Sequence, residues 1–164
     1  MASSSSSPQR ATATCFCGTV QLELLTDAIF QTQPVEGEDV TQVFVCHCLD
    51  CRKLTASMFT TAFVVRDTSL VHKRGESSLG TYARSDTIAS GNTMTNYFCK
   101  DCGTLMYRRS SGFPGLSIPR VGIVDDVGLH DTKLKPRVEI WCQSKAAWLG
   151  GVEGIKKSED QAAL

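Results

Sequence analysis

Seven of the eight cysteines in this 164-residue chain fall into three tight groups. Cys15 and Cys17 flank Phe16, Cys46, Cys48 and Cys51 stand around His47, Leu49 and Asp50, and Cys99 and Cys102 precede Gly103. Cysteines this close in sequence rarely form unstrained disulfides with one another. They bring their sulfurs to one point when the backbone turns around a tetrahedral metal with bonds of roughly 2.3 Å. In the third group a glycine after the second cysteine permits a positive φ while backbone amides point at the thiolates. Soft thiolates in that geometry favour zinc; iron is the alternative, but the familiar iron–sulfur spacings do not match these groups.

A closed structural site needs four protein ligands, and Cys15, Cys17, Cys99 and Cys102 supply them, tying the start of the chain to its middle. Cys46, Cys48 and Cys51 then form a set of three with no obvious fourth. Three protein ligands and an open position are how catalytic zinc is usually built, and an open position invites a substrate. The expected cofactor is therefore zinc, two ions per chain, one structural and one catalytic. Two alternatives stay open. Cys142, alone after Ile140 and Trp141, either packs as a small apolar residue or folds back as a fourth ligand, which would make the second site structural. His47 either points away from the metal in an extended segment or joins it as a ligand or proton carrier. His72 and His130, in polar stretches, read as surface residues.

The elements that must position these cysteines read as mainly β. Apolar residues recur in short alternating or β-branched runs over 20–24, 43–45, 59–65, 93–98 and 121–124. Turn signals separate them at Gly37, Arg74-Gly75, Ser90-Gly91-Asn92 and residues 112–115. One short helix is expected over 48–56, with Asp50 supporting its first turn. Residues 1–10 read as a disordered serine-rich tail, 11–150 as a single zinc-stabilised domain of hairpins, and 151–164 as a polar C-terminal tail.

Seventeen basic residues balance seventeen acidic ones, so the chain lacks the field that nucleic-acid and membrane-surface binders carry. The expected partner is a small molecule. There is no long apolar run, and the N-terminus lacks the apolar stretch of a secretory signal, which points to a cytoplasmic location. In that reducing compartment cysteines serve metal or thiol chemistry, against the alternative of a secreted disulfide scaffold.

Three ordered segments resemble one known family: Cys15-Phe16-Cys17-Gly18, Cys46-His47-Cys48-Leu49-Asp50-Cys51-Arg52-Lys53, and Phe98-Cys99-Lys100-Asp101-Cys102-Gly103-Thr104. The family is that of the glutathione-dependent formaldehyde-activating enzyme and centromere protein V, and the resemblance runs from about residue 11 to residue 148. It implies a β-tent fold similar to that of Rab exchange-factor proteins. It also implies that Cys15, Cys17, Cys99 and Cys102 hold structural zinc and Cys46, Cys48 and Cys51 hold catalytic zinc. The implied activity is carbon–sulfur lyase or synthase chemistry on a thiol adduct, such as S-hydroxymethylglutathione in formaldehyde detoxification. Three thiolates make the metal electron-rich, so delivery of a thiolate suits it better than a strong Lewis-acid role.

Glutathione's carboxylates need cationic partners, and Arg52, next to Cys51, is the substrate-binding candidate, with a solvated helix-face charge as the alternative. Arg108 and Arg109 must point to opposite faces of a strand, so at most one can reach the same pocket. The segment at Pro136–Trp141 resembles a family region where a histidine is expected near Glu139, and no role carries over to that position. A non-catalytic zinc-stabilised binding module of the same fold is the competing function. The balanced charge and short serine tail lack the basic extension a chromatin role would use.

Overall fold

The computed structural model describes residues 10–25 and 43–160, which build three sheets. In the first, β1 (Arg10–Thr14) pairs antiparallel with β2 (Gln21–Leu25), register Ala11↔Leu24 and Ala13↔Leu22. The β6 strand (Leu70–Arg74) lies on the other edge of β2. Alternation puts Ala11, Ala13, Leu22 and Leu24 on one buried face. Arg10, expected in the tail, instead opens the first strand, because the small apolar side chains of Ala11 and Ala13 are buried behind it and its own guanidinium pairs with Glu23.

The second sheet runs in the order β5 (Val65–Arg66), β10 (Leu116–Pro119), β9 (Leu105–Ser110), β8 (Met94–Cys99) and β7 (Leu79–Arg84), all antiparallel. The third contains β12 (Lys156–Lys157), β11 (Val138–Ile140), β3 (Val43–Cys46) and β4 (Thr60–Phe63). There β11 runs parallel to both β3 and β12, while β3 and β4 are antiparallel. Residues 156–157, expected in a polar tail, thus extend this sheet, since a β-edge needs only backbone donors and acceptors.

The α1 helix (Leu49–Thr55) connects β3 to β4 within the expected 48–56. A second, α2 (Val127–Asp131), was not legible, because it is five residues long, contains Gly128 and depends on an Asp126 side chain accepting from the Gly128 amide. The run 59–65 divides into β4 and β5. The run 121–124 is a 3-10 turn rather than a strand: Val121, Ile123 and Val124 are buried because they cap the core, with only isolated bridges on either side. Turns fall at Gly75, Gly91 and Gly115 as expected, all at positive φ; that at Gly37 lies outside the described residues. At Gly75 the glycine is obligatory, because a Cβ would collide with the Thr19 carbonyl.

The core has two parts. Val20, Leu22, Leu24, Val43, Phe63, Met106 and Tyr107 fill the larger. Phe44, Cys46, Cys51, Ala62, Ile118, Val138 and Ile140 fill the smaller. The period of two along β3 sends Val43 to the first and Phe44 and Cys46 to the second, and so delivers one cysteine of the middle group to the smaller core. No helix among the described residues is long and apolar enough to cross a membrane.

Candidate metal centres

Cys15 follows β1, where a tight turn returns the chain to β2: the Gly18 amide donates to the Cys15 carbonyl at 2.9 Å with Gly18 at φ 81°. An equivalent turn follows β8, where the Gly103 amide donates to the Cys99 carbonyl at 2.8 Å with Gly103 at φ 74°. The two turns face each other, and the Phe16 amide donates to Thr104 Oγ1 at 3.1 Å. The sulfurs of Cys15, Cys17, Cys99 and Cys102 lie within 4.8 Å of one another. Cys15 and Cys17 are 3.5 Å apart and Cys17 and Cys99 3.7 Å, close to the roughly 3.8 Å edge of a tetrahedron with zinc–sulfur bond lengths. Hydrogen bonds from Thr104 pull the Cys102 thiol down to about 6, and Thr19 likewise lowers Cys17. Burial pushes Cys99 up to about 12, a cost that a bound cation would offset.

The second set is built where β3 meets α1. Cys46 ends the strand, Cys48 caps the helix by accepting from the Cys51 amide at 3.4 Å, and Cys51 stands in the first turn. Their sulfurs are mutually within 4.8 Å, with Cys46 and Cys51 buried and Cys48 partly exposed. Hydrogen bonds from Cys46 and Cys48 hold the Cys51 thiol well below its ordinary value, helped by the positive charges of Arg120 and Arg108. The same contacts push Cys46 up, as crowded thiols must when they share one negative charge. Both sets have the soft-donor chemistry and spacing that zinc requires.

A cavity of about 290 Å³ opens on the set of three. Its walls are largely apolar, formed by Phe44, Met94, Phe113, Ile118, Ile140 and Trp141, with Arg108 and Arg120 beside the cysteines. Trp141 adopts a left-handed conformation at φ 60°, ψ 41°, which is rare for a bulky residue and turns the chain sharply at the end of β11.

The sequence profile of the glutathione-dependent formaldehyde-activating enzyme matches residues 10–144, the stretch that contains both cysteine sets. The chain belongs to that family. A solved structure of a Rhodobacter sphaeroides protein, a structural genomics target, is similar with a TM-score of 0.51 at 22% identity, covering 73% of this chain and 93% of that one. That likeness extends to the fold alone. No curated protein matches the chain.

In this family member Arg52 does not line the cavity: its guanidinium donates to the Ser144 carbonyl at 3.0 Å and reaches Met58 sulfur at 3.6 Å. Arg108 and Arg109 do face opposite ways. Arg108 Nη1 donates to Cys51 Sγ at 3.3 Å, whereas Arg109 lies 3.2 Å from Asp67 and over the Tyr97 and Tyr107 rings. His47 is buried and stands outside the group formed by Cys46, Cys48 and Cys51, with Nε2 3.3 Å from Glu139 Oε2. Cys142 groups with His47 and Glu139 rather than with the set of three, its sulfur 4.0 Å from Glu139 Oε2. His72 and His130 are half-buried, His72 against the Tyr107 hydroxyl and His130 against the Val124 carbonyl.

Arg120 escaped the sequence reading, although a lone charge after Pro119 in the apolar stretch 116–124 is a usable signal for a buried cation. Glu139 is similar, a lone acid between Val138 and Ile140 that is fully buried.

Proposed function

We propose that this chain is a zinc-dependent carbon–sulfur lyase or synthase acting on a thiol adduct of the S-hydroxymethylglutathione class, with Cys46, Cys48 and Cys51 as the centre that receives the substrate sulfur. The observation that carries this reading is the position of the cavity: it opens on the three-cysteine set. Cys15, Cys17, Cys99 and Cys102 would hold a second, structural zinc, with their four sulfurs closing it. Zinc bound by the three cysteines supplies an open position that keeps a thiol ionised near neutral pH.

The chain's own residues do the remainder. Cys48, the partly exposed member of the set, presents the cysteine centre to the cavity. Arg108 holds the Cys51 thiolate in place and stabilises its charge. Cys46 and Cys51, at 3% and 2% exposure, leave little room for bulk water, so charges there act through a low dielectric. In the synthetic direction the thiolate attacks the aldehyde carbon, a carbon–sulfur bond forms and the carbonyl oxygen takes up a proton. The proton that oxygen takes up is the one the thiol released on ionising, returned through solvent, since the Thr87 hydroxyl on the cavity wall is committed to Asp50 Oδ2 at 2.6 Å.

The test is zinc stoichiometry by native mass spectrometry on protein purified without chelator, before and after glutathione, with a Cys48→Ser variant and a ¹³C-formaldehyde NMR assay alongside. Two zinc ions are expected in the wild type and one in the variant. Glutathione should perturb only the ion the variant lacks, and adduct formation should accelerate only with the wild type. Two zinc ions indifferent to glutathione, with no acceleration, would sink the enzyme and leave a zinc-stabilised binding module of the same fold.

A further inference from the structure

The cysteine end of the cavity holds more guanidinium donors than it has acceptors for them. Arg108 and Arg120 both line it, and both are more than nine-tenths buried. Arg108 uses Nη1 on the Cys51 sulfur, yet its Nε is sealed from solvent without an acceptor, and so are Nε and Nη2 of Arg120. Neither arginine has a carboxylate partner in an ion pair among the described residues. The acid on the cavity wall, Asp50, is engaged by Thr87 instead. A buried donor without an acceptor is costly, and a planar carboxylate is the acceptor a guanidinium fork fits best.

We infer that Arg108 and Arg120 form an anion subsite in the floor of the cavity, and that the pocket takes a compact, largely apolar carboxylate whose charge lies close to the sulfur received by the three cysteines. The apolar walls match the body of such a ligand. Because Arg108 is itself 3.3 Å from a cysteine sulfur, an anion it shares with Arg120 sits beside the sulfurs, not at the far end of an extended tripeptide. A short mercapto acid or its aldehyde adduct therefore suits the pocket better than glutathione. The location of the ligand's sulfur rests on the function proposed above; the anion subsite itself does not.

Calorimetric titration of the zinc-loaded full chain separates the two. The first probes lack sulfur: 3-phenylpropionate and its neutral amide. The acid is expected to bind about tenfold or more tighter than the amide, the size of a charge-assisted hydrogen-bond pair. Arg120→Met should abolish that preference, with zinc content measured on the same sample. Equal binding of acid and amide by the wild type, including binding of neither, overturns the subsite without recourse to any variant. A preference that survives Arg120→Met places the carboxylate elsewhere and also overturns it. The second probes are 2-mercapto-3-phenylpropionate, its amide and glutathione, read on cobalt-substituted protein by its absorption. Acid selectivity through Arg120 with no thiol-induced spectral change leaves the subsite standing and removes the sulfur-centred function. Spectral change by every thiol, without acid selectivity, does the reverse.

Discussion

Glu139 is a carboxylate with no exposure to solvent, placed on β11 beside the middle cysteine group. Burial alone would raise its pKa, but the Val152 amide donates to Oε1 and His47 meets Oε2, with Lys145 at 3.8 Å, and together they hold it below the usual carboxylate value. A carboxyl whose folded pKa lies below its unfolded one contributes stability that is complete above the ordinary carboxylate range of about 4.3 and is lost as pH falls through the folded value. Glu139→Gln is therefore expected to lower unfolding stability by about 2 kcal/mol at neutral pH, the scale of hydrogen bonds to a charged group. The gap from the wild type should narrow as the pH falls below about 5, because the wild type loses an ionic contribution the variant never had. Urea titrations of both proteins across that range measure it, and a gap that stays constant with pH would remove the ionised carboxylate as the cause.

One scale up, α1 sets the geometry of the three cysteines, since Cys48 caps it and Cys51 occupies its first turn. The helix ends at Ala56, which is exposed and takes a left-handed conformation at φ 49°, ψ 34°, with its amide donating back to the Lys53 carbonyl. Glycine is the residue for such a terminus, so Ala56→Gly is expected to stabilise the protein by about 0.5–1 kcal/mol without changing zinc content. Thermal unfolding with metal analysis decides it; a destabilised Ala56→Gly would mean that helix propensity outweighs the relief of backbone strain. This helix and the cysteine groups were legible because their information is local, a few residues of spacing and a cap. The cavity and the buried Glu139 were not, because Arg108, Arg120 and Glu139 come from β9, the end of β10 and β11, and only strand pairing across the chain brings the arginines near Cys51 and Glu139 near His47. Arg52 illustrates the same limit: adjacency to Cys51 in sequence suggested a substrate contact, but one residue along a helix turns the side chain by roughly 100°, toward Ser144. β1 stayed hidden since two alanines give little hydrophobic contrast, and 121–124 misled since β-branched residues also serve a buried 3-10 turn.

The two cysteine sets differ in which parts of the fold they join. Cys15 and Cys17 belong to the turn between β1 and β2 in the three-stranded sheet, and Cys99 and Cys102 to the turn between β8 and β9 in the five-stranded one. An ion held by these four would clasp two sheets, whereas one held by Cys46, Cys48 and Cys51 would bind only neighbouring residues of β3 and α1. A cross-link between distant segments restricts the unfolded chain more than one that closes a short loop, so loss of the first ion must cost more. Cys99→Ser is accordingly expected to destabilise the fold by about 3 kcal/mol or more beyond Cys48→Ser, and to strip its metal with extensive loss of tertiary signal. In chelator competition the wild type should release zinc in two phases. The first should leave the near-ultraviolet circular dichroism almost intact, and the second should abolish it. If both phases unfold the protein to the same extent, the three-cysteine set is as structural as the other, and a centre open to substrate would have to be sought elsewhere in the molecule.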